Sequence, residues 1–324
     1  MNHLSLSTDN LYGQRINLVI NYIRDHVQEP LSLEVLAQVA CFSPFHFHRL
    51  FKALTGETVS ECVVRLRLER AVALLKAAPT LPILEAALAS GFNSASNFSR
   101  SFKRQYGLSP RQWDRRTPLH DKRQDRKNGQ VFDGFPQYDH DDYEAMAREG
   151  EVTVQVRELP RQQLAYVRVM NSYRPERIMS AYERLVGWYH KQGGTLSQTT
   201  LIGMSQDDPD VTPLPLCQYD WCLSLPAQAP SAIWQRMDGA LLKGDGGELA
   251  VQHREFPPCV VAYVHCKGDI YAVDRAWQYL FNCWLPRSRY QPDNLPAMEI
   301  YHRQPAEIGW ERHDLDAAIP VVAL

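Results

Sequence analysis

The 324-residue chain lacks any apolar run near the roughly 18 residues that a membrane span requires, so a membrane role is not expected. Its opening, MNHLSLSTDN, has no basic stretch followed by an apolar core, and no secretory leader is expected. The seven cysteines are odd in number and none stands in a CxxC pair. That pattern argues against a disulfide framework and fits reduced thiols in a cytoplasmic setting. Among enzyme signatures, no Ser-His-Asp order, HExxH or phosphate-cradling glycine loop occurs, so nothing in the residues independently supports an enzyme, and no cofactor is expected. Strong net charge is missing too, but the near-neutral total of −2 hides a split. Residues 1–130 hold 18 Lys+Arg and 11 Asp+Glu, net +7, leaving 35−18=17 and 37−11=26, net −9, for residues 131–324. A basic N-terminal block suits a polyanion.

That block contains one pattern twice. Leu36 to Gly56 reads LAQVACFSPFHFHRLFKALTG, and Ala86 to Gly107 reads AALASGFNSASNFSRSFKRQYG. Phe47, Arg49, Phe51, Lys52 and Gly56 recur as Phe98, Arg100, Phe102, Lys103 and Gly107, with one extra residue in the second turn. Ile16, Val19, Ile20 and Ile23 form one apolar stripe, which predicts a first helix over Arg15 to His26. A short helix is expected over Leu33 to Ala40, capped by Ser32, and a long one over Ser60 to Ala77. Ser43 and Pro44 suit the start of a third helix, whose Phe47, Leu50, Phe51 and Leu54 face the core. Its other stripe, Phe45, His48, Arg49 and Lys52, has the form of a recognition face in a major groove; an ordinary solvated face has the same form. Arg49 is the best base reader, because guanidinium bonds both guanine acceptors, while Lys52 suits a phosphate. In the second unit Ser96, Ser99, Arg100 and Lys103 form the outward stripe, with Asn97 flanking it. Arg65, Arg67 and Arg70 read as solubility, core-edge packing or phosphate contact. The SPRQ string at Ser109 to Gln112 matches a capping box for a last helix, with Trp113 in the core. His46 and His48 lie at i, i+2 and share no helix face, so no metal site is expected.

The string GFNSASNFSRSFKRQYGLSPRQWDR resembles the signature of the AraC/XylS family of transcription regulators, and the resemblance extends over about Arg15 to Arg116. It implies a seven-helix DNA-binding domain with two recognition helices in successive major-groove segments. Cys41 departs from the pattern, standing where glycine is usual, so that first turn is expected to be strained or differently shaped. Phe45 and His48 alter the expected base preference. The division expected is a tandem helix-turn-helix domain over 1–117, a charged linker over 118–150 acting as a tether, and a C-terminal domain over 151–324. In the linker Phe132, Phe135 and Tyr138 are candidates to dock on either domain.

The C-terminal part holds a second duplication. Val154 to Val169, VQVRELPRQQLAYVRV, matches Val251 to Cys266, VQHREFPPCVVAYVHC. Each reads as strand, Pro-bearing turn and strand, followed by a helix-like run: Ile178, Ala181, Tyr182, Leu185 and Trp188, then Ala276, Trp277, Leu280 and Trp284. The fold class expected is therefore multidomain: an all-α tandem helix-turn-helix domain, then an α+β unit of two pseudo-twofold halves. A groove between such halves is a natural ligand site. Any one aromatic here reads first as core, but as a group they exceed what a core needs. Asp207-Asp208-Pro209 reads as a turn.

With Gly203 to Pro213 (GMSQDDPDVTP) and Tyr219 to Cys222 (YDWC), the stretch Trp284 to Tyr301 (WLPRSRYQPDNLPAMEIY) resembles the GyrI-like effector-binding domain, over about Glu151 to Leu324. The resemblance implies a doubled fold that binds small, often cationic aromatic compounds, with Glu299 as the acid at the pocket floor. A carboxylate among aromatic faces attracts a cation by charge and ring quadrupole; a solvent-facing strand acid is the plain alternative. Candidate effector-binding residues are Glu299, Tyr301, Tyr182, Trp221, Trp277 and Trp284. The expected function is sequence-specific regulation of transcription. The partners are double-stranded DNA, a small-molecule effector and RNA polymerase, and activation is the sign that the family resemblance favours. Two other readings stay open: a DNA-tethered hydrolase using Glu299 and Tyr301, and a module that binds gyrase or another protein.

Overall fold

The computed structural model describes residues 8–115, 117–119, 142, 145, 146, 148, 152–226, 240–243 and 249–324, with side chains from residue 12 onward. Phe132, Phe135, Tyr138 and most of the expected linker lie outside the described residues. The N-terminal part is helical: α1 (Thr8–Asp25), α2 (Leu33–Val39), α3 (Pro44–Thr55), α4 (Val59–Ala77), α5 (Ile83–Ala89) and α6 (Ala95–Tyr106). The serine caps are those the sequence suggests, and the capping box on the long helix is an addition to them. Ser32, Ser43 and Ser94 oxygens accept from the amides of Val35, His46 and Asn97, and Thr58 with Glu61 forms a capping box on α4. Ile16, Val19, Ile20 and Ile23 are buried with Phe47 and Phe51 in one core. Phe98, Phe102 and Trp113 fill a second. Long α4 gives residues to both cores.

Two details differ from expectation. The first helix starts at Thr8, earlier than Arg15. The SPRQ stretch makes its capping bonds, the Ser109 amide and hydroxyl both donating to Gln112 Oε1 at 3.1 and 2.8 Å, but they close a turn and no helix follows. Among the described residues six helices, not seven, build this domain. Cys41 and Gly91 occupy equivalent turn positions, with φ of +54° and +85°. The need for glycine is unequal. A Cβ on Gly91 would sit 2.5 Å from the carbonyl oxygen of Val27, whereas Cys41 is exposed and has only its own backbone strain to bear.

The C-terminal part is a curled antiparallel sheet with helices on one face. Its strands are β1 (Val154–Leu159), β2 (Gln162–Met170), β3 (Thr200–Ser205), β4 (Gln218–Leu225), a short pair β5 (Leu241–Leu242) and β6 (Leu249–Ala250), β7 (Gln252–Phe256), β8 (Cys259–Gly268), β9 (Tyr290–Pro292), β10 (Ala297–Tyr301) and β11 (His313–Ala323). The main order is β1-β8-β11-β10-β3-β4-β2-β7, with β9 beside β11. Reversing it exchanges β1 with β7, β2 with β8, β3 with β10 and β4 with β11, which is a pseudo-twofold relation between the duplicated halves. The Pro-bearing turns do not close hairpins: β1 pairs with β8 and β2 with β7, so each half is stitched to the other. Helices α7 (Pro175–Lys191) and α8 (Ile270–Tyr279) pack on one face, and a smaller apolar cluster of Ile202, Met204, Met298 and Ile300 lies on the other.

The two parts are docked, not merely tethered. Ala77 of α4 enters the core under α8, and Val211 enters the core of the second helix-turn-helix unit. Between them runs a polar seam. Asp207, with no exposed side-chain surface, accepts from Arg24 at 2.7 Å and Arg65 at 2.9 Å. Arg65 also meets Glu57 and Glu69 at 2.6 and 2.8 Å, and Thr212 donates to Glu69. Deeper in, Arg168 grips Asp220 through two bonds of 2.8 and 2.7 Å and reaches Asn21 of α1 at 2.8 Å. Asp25 pairs with Arg254 at 3.0 Å, and Arg70 donates to Asn294 at 2.7 Å.

Candidate effector pocket and nucleic-acid interface

The two outward stripes lie on the third and sixth helices, away from the seam. Phe45, His48, Arg49 and Lys52 are exposed, Phe45 by 74%, and the Arg49 guanidinium sits 5.7 Å from the Phe45 ring centre. Ser96, Arg100 and Lys103 are exposed, Ser99 and Asn97 half-buried, and Arg100 donates to Asn97 Oδ1. Apolar anchors on each helix's inner side fix these faces: Phe47 and Phe51 in α3, Phe98 and Phe102 in α6, each fully buried. The three arginines of α4 do other work. Arg65 is buried in the seam, Arg67 donates to the carbonyls of Val27 and Glu29, and Arg70 bonds the carbonyl of Ala89 besides Asn294.

A cavity of about 650 Å³ opens between the two parts. Glu299 on β10 and Trp277 on α8 line its C-terminal side together with Trp310, while Arg70, Ala73 and Leu74 of α4 line the other. Glu299 is half-buried, not solvent-facing. Its Oε2 accepts from Tyr219 at 2.6 Å and from Tyr301 at 3.0 Å. Burial and the neighbouring carboxylate push both phenols well above the ordinary tyrosine range, so they stay protonated donors. Room for this pair comes from Gly203, opposite Glu299 across β3–β10: a Cβ there would lie 1.6 Å from the Tyr219 oxygen. Behind the acid stands an aromatic wall. The Trp221 ring lies 5.2 to 5.5 Å from Tyr219, Tyr301 and Tyr182, and Tyr182 meets Trp310 edge-on at 5.2 Å.

The structure thus brings Glu299, Tyr301, Tyr182 and Trp221 together, with Trp221 and Tyr182 as buried backing, and puts Trp277 on the cavity wall. It takes Trp284 elsewhere: that ring stacks on Tyr290 at 5.9 Å and does not line the cavity. The reason is local. Leu280–Trp284 is a π-helical turn, whose extra residue per turn breaks the alignment of Trp277 with Trp284 that an α-helix would keep. Sequence reasoning did not single out Trp310, the role of Tyr219 as donor, or the cavity wall supplied by α4. Only the YDWC string hinted at Tyr219. Asp207, read as part of a turn, is the buried centre of the seam.

Comparison with known proteins identifies both parts of the chain. A family described as the GyrI-like small molecule binding domain matches residues 153–322, and one described as a helix-turn-helix domain matches residues 36–116. A probable transcriptional regulator, LumQ of Photobacterium leiognathi, is 39% identical over 99 residues, 30% of this chain and 40% of that protein, so the chain spans well under half the length of that relative. The regulatory protein SoxS of Salmonella typhimurium is 30% identical over 99 residues, 31% of this chain and 92% of SoxS. A crystal structure of the DNA-binding domain of AdpA in complex with target DNA is 30% identical, covers 30% of this chain and 86% of that one, and superposes with a TM-score of 0.29. The chain belongs to the AraC-type helix-turn-helix family through its N-terminal third and to the GyrI-like small-molecule-binding family through its C-terminal half.

Proposed function

We propose that the chain is a cytoplasmic, one-component transcription regulator that reads an asymmetric DNA site with two unequal recognition helices and senses a lipophilic cation in the cavity beside Glu299. One observation carries the reading: a single cavity is walled by the sensor's acid and aromatics on one side and by α4 of the DNA-binding part on the other. A ligand there touches both parts. Occupancy shifts the balance between docked arrangements, and so changes the affinity of α3 and α6 for DNA or their contact with RNA polymerase. By linkage, DNA and ligand alter each other's affinity by the same factor, typically about 5- to 150-fold. The names of the relatives, which are regulators, support the same role. The cavity is read as a binding site: both phenols beside Glu299 donate to it and hold it as the carboxylate that faces a cation. Ordinary backbone contacts of two basic faces supply the DNA affinity, and the base-facing side chains Arg49, Asn97 and Arg100 supply the selectivity.

The test uses the full chain, a labelled duplex recovered by in vitro selection, and tetraphenylphosphonium as probe. Tryptophan quenching follows binding, and fluorescence anisotropy follows DNA affinity. The expected result is saturable quenching that Glu299→Gln abolishes, and a change in wild-type DNA affinity of about 5-fold or more. Equal quenching in Glu299→Gln, or unchanged DNA affinity at saturating probe, overturns the reading.

A further inference from the structure

On the sheet face opposite the two helices, away from the cavity, His265 of β8, Asp316 of β11 and His302, which follows β10, converge. His265 Nδ1 lies 3.0 Å from Asp316 Oδ1, and His302 Nε2 lies 2.8 Å from the same oxygen. All three donor atoms fall within 4.8 Å of one another, and among the described residues no other set of His, Cys, Asp and Glu does this. We infer that this triad is a binding site for a divalent transition ion of borderline softness, of which Zn2+ is the representative.

A tetrahedral ion with nitrogen and oxygen ligands at about 2.0–2.1 Å needs ligand atoms about 3.3 Å apart. Two of the three edges stand at 3.0 and 2.8 Å and the third lies within 4.8 Å, so rotation of the two exposed imidazoles is enough to bring the three atoms round one ion. Backbone pairing fixes two of the ligands: His265 and Asp316 are register partners in β8–β11. The third is tied down as well, since the His302 amide donates to the Asp314 carbonyl at 2.9 Å. Asp316 itself is held in place, its Oδ2 meeting Arg157 at 2.9 Å, which leaves Oδ1 as a single-oxygen ligand. Asp314 lies 3.8 Å from the far ring nitrogen of His265, close enough to stand behind that imidazole without a hydrogen bond to it.

The chemistry points the same way. Without an ion, both imidazoles crowd one oxygen of a carboxylate that is 2% exposed, while its other oxygen, in ion-pair reach of Arg157, has no hydrogen-bond partner among the described residues. With an ion, each imidazole moves its proton to its outer nitrogen and offers a lone pair inward, and the carboxylate keeps Arg157. Both histidine side chains are about half exposed, 48% and 44%, so the ion enters from solvent and its fourth position stays open to water. Two imidazoles and one carboxylate select Zn2+, Co2+ or Ni2+ over Mg2+ and Ca2+, which prefer all-oxygen shells. The site also has a structural consequence. His302 directly follows Tyr301, a donor to Glu299, so a bound ion pins the end of the strand that carries the pocket acid.

Full-length chain, stripped with chelator, is titrated with Zn2+ against a chromogenic competitor and with Co2+ by absorption spectroscopy. The expected result is a single saturable equivalent, a Co2+ spectrum without a thiolate charge-transfer band, and loss of affinity by more than about 10-fold in both His265→Ala and His302→Ala, the floor that even outer-shell losses reach. Circular dichroism of the two variants should match wild type, because both side chains are half exposed. The inference fails if wild type shows no saturable uptake, or if uptake survives both histidine variants. It fails equally if the Co2+ complex carries a thiolate band that disappears in Cys41→Ser/Cys259→Ser, which would assign the ion to the cysteines.

Discussion

Asp207 joins two arginines of the N-terminal part across the interdomain seam, and removing its carboxylate tests the docked arrangement directly. Its Oδ1 takes two guanidinium donors, from Arg24 and Arg65, and its Oδ2 takes the Gln218 amide at 2.9 Å, all without solvent exposure. Burial alone would raise its pKa, but the two arginines outweigh this and hold it below the usual carboxylate range. Breaking a buried pair from one side costs about 3–5 kcal/mol, because the partner charge stays buried without compensation. Here the burden is unequal. Arg65 keeps Glu57 and Glu69, whereas Arg24 is left only the Gln206 carbonyl, so Asp207→Ala should cost about 3 kcal/mol, the lower end. Urea unfolding of the full chain measures it, followed by tryptophan fluorescence for the aromatic-rich sensor and circular dichroism for the helices. Removing Arg24 as well should restore part of the loss, since the double variant no longer buries the orphaned charge. A loss under about 1 kcal/mol, the scale of exposed pairs, would refute the buried seam and with it the docked domains.

Five further outcomes follow from the same geometry. Burial pushes Glu69 up to about 7, against the pull of Arg65. A raised acid favours the folded state below its ordinary value and loses that contribution as pH rises through the folded one, so wild-type melting temperature should drop relative to Glu69→Gln between about pH 4.5 and 7. Gly203→Ala should leave the fold intact but expel Tyr219 from Glu299, weakening cation binding by about 10-fold or more in quenching titrations, as loss of a charge-assisted bond predicts. In competition binding, Arg49→Ala or Arg100→Ala should relax discrimination by about 1–3 kcal/mol at one base pair. Lys52→Ala or Lys103→Ala should weaken all sequences alike and flatten the salt dependence. Gly91→Ala should destabilise by about 2 kcal/mol or more through its clash with Val27, while Cys41→Gly should shift stability by less than about 1 kcal/mol, because relieved strain and added chain entropy oppose.

What was legible in the sequence was periodic or repeated. The stripes of α1, α3 and α6, the serine caps and both duplications depend on neighbours along the chain, and local physics writes them plainly. The strained Cys41 turn was legible as a departure from glycine. What was not legible depends on distant partners. Arg65 read no differently from Arg67 and Arg70, as solubility, core-edge packing or phosphate contact, because its partner Asp207 lies 142 residues away in a stretch with the composition of a turn. The metal triad spans separations of 51 and 14 residues and has no motif spacing at all. Trp284 misled for a different reason: its α-helical alignment with Trp277 assumes a regular helix, and the π turn removes that regularity.

The character of the seam bears on how such a regulator can be switched. Had the domains met through an apolar face, burial at about 25 cal/mol per Å² over an ordinary interdomain contact would yield many kcal/mol, far more than one small ligand can redirect. Beside the apolar contacts of Ala77 and Val211, the seam buries paired charges and amides, Arg24 and Arg65 with Asp207, Arg168 with Asn21, Arg70 with Asn294. Desolvation offsets much of the Coulombic gain in such pairs, so they fix one arrangement without adding much net stability. A difference of about 1–3 kcal/mol between ligand affinities for two arrangements is then enough to move the balance. The position of the cavity completes the logic. Arg24, Asp207, Glu69 and Arg70 line it as well as the seam, so a cation entering beside Glu299 meets the same charges that hold the domains together. On the proposed function, the charge of a cation there would compete with Arg24 and Arg65 for Asp207 and Glu69 and so loosen this contact.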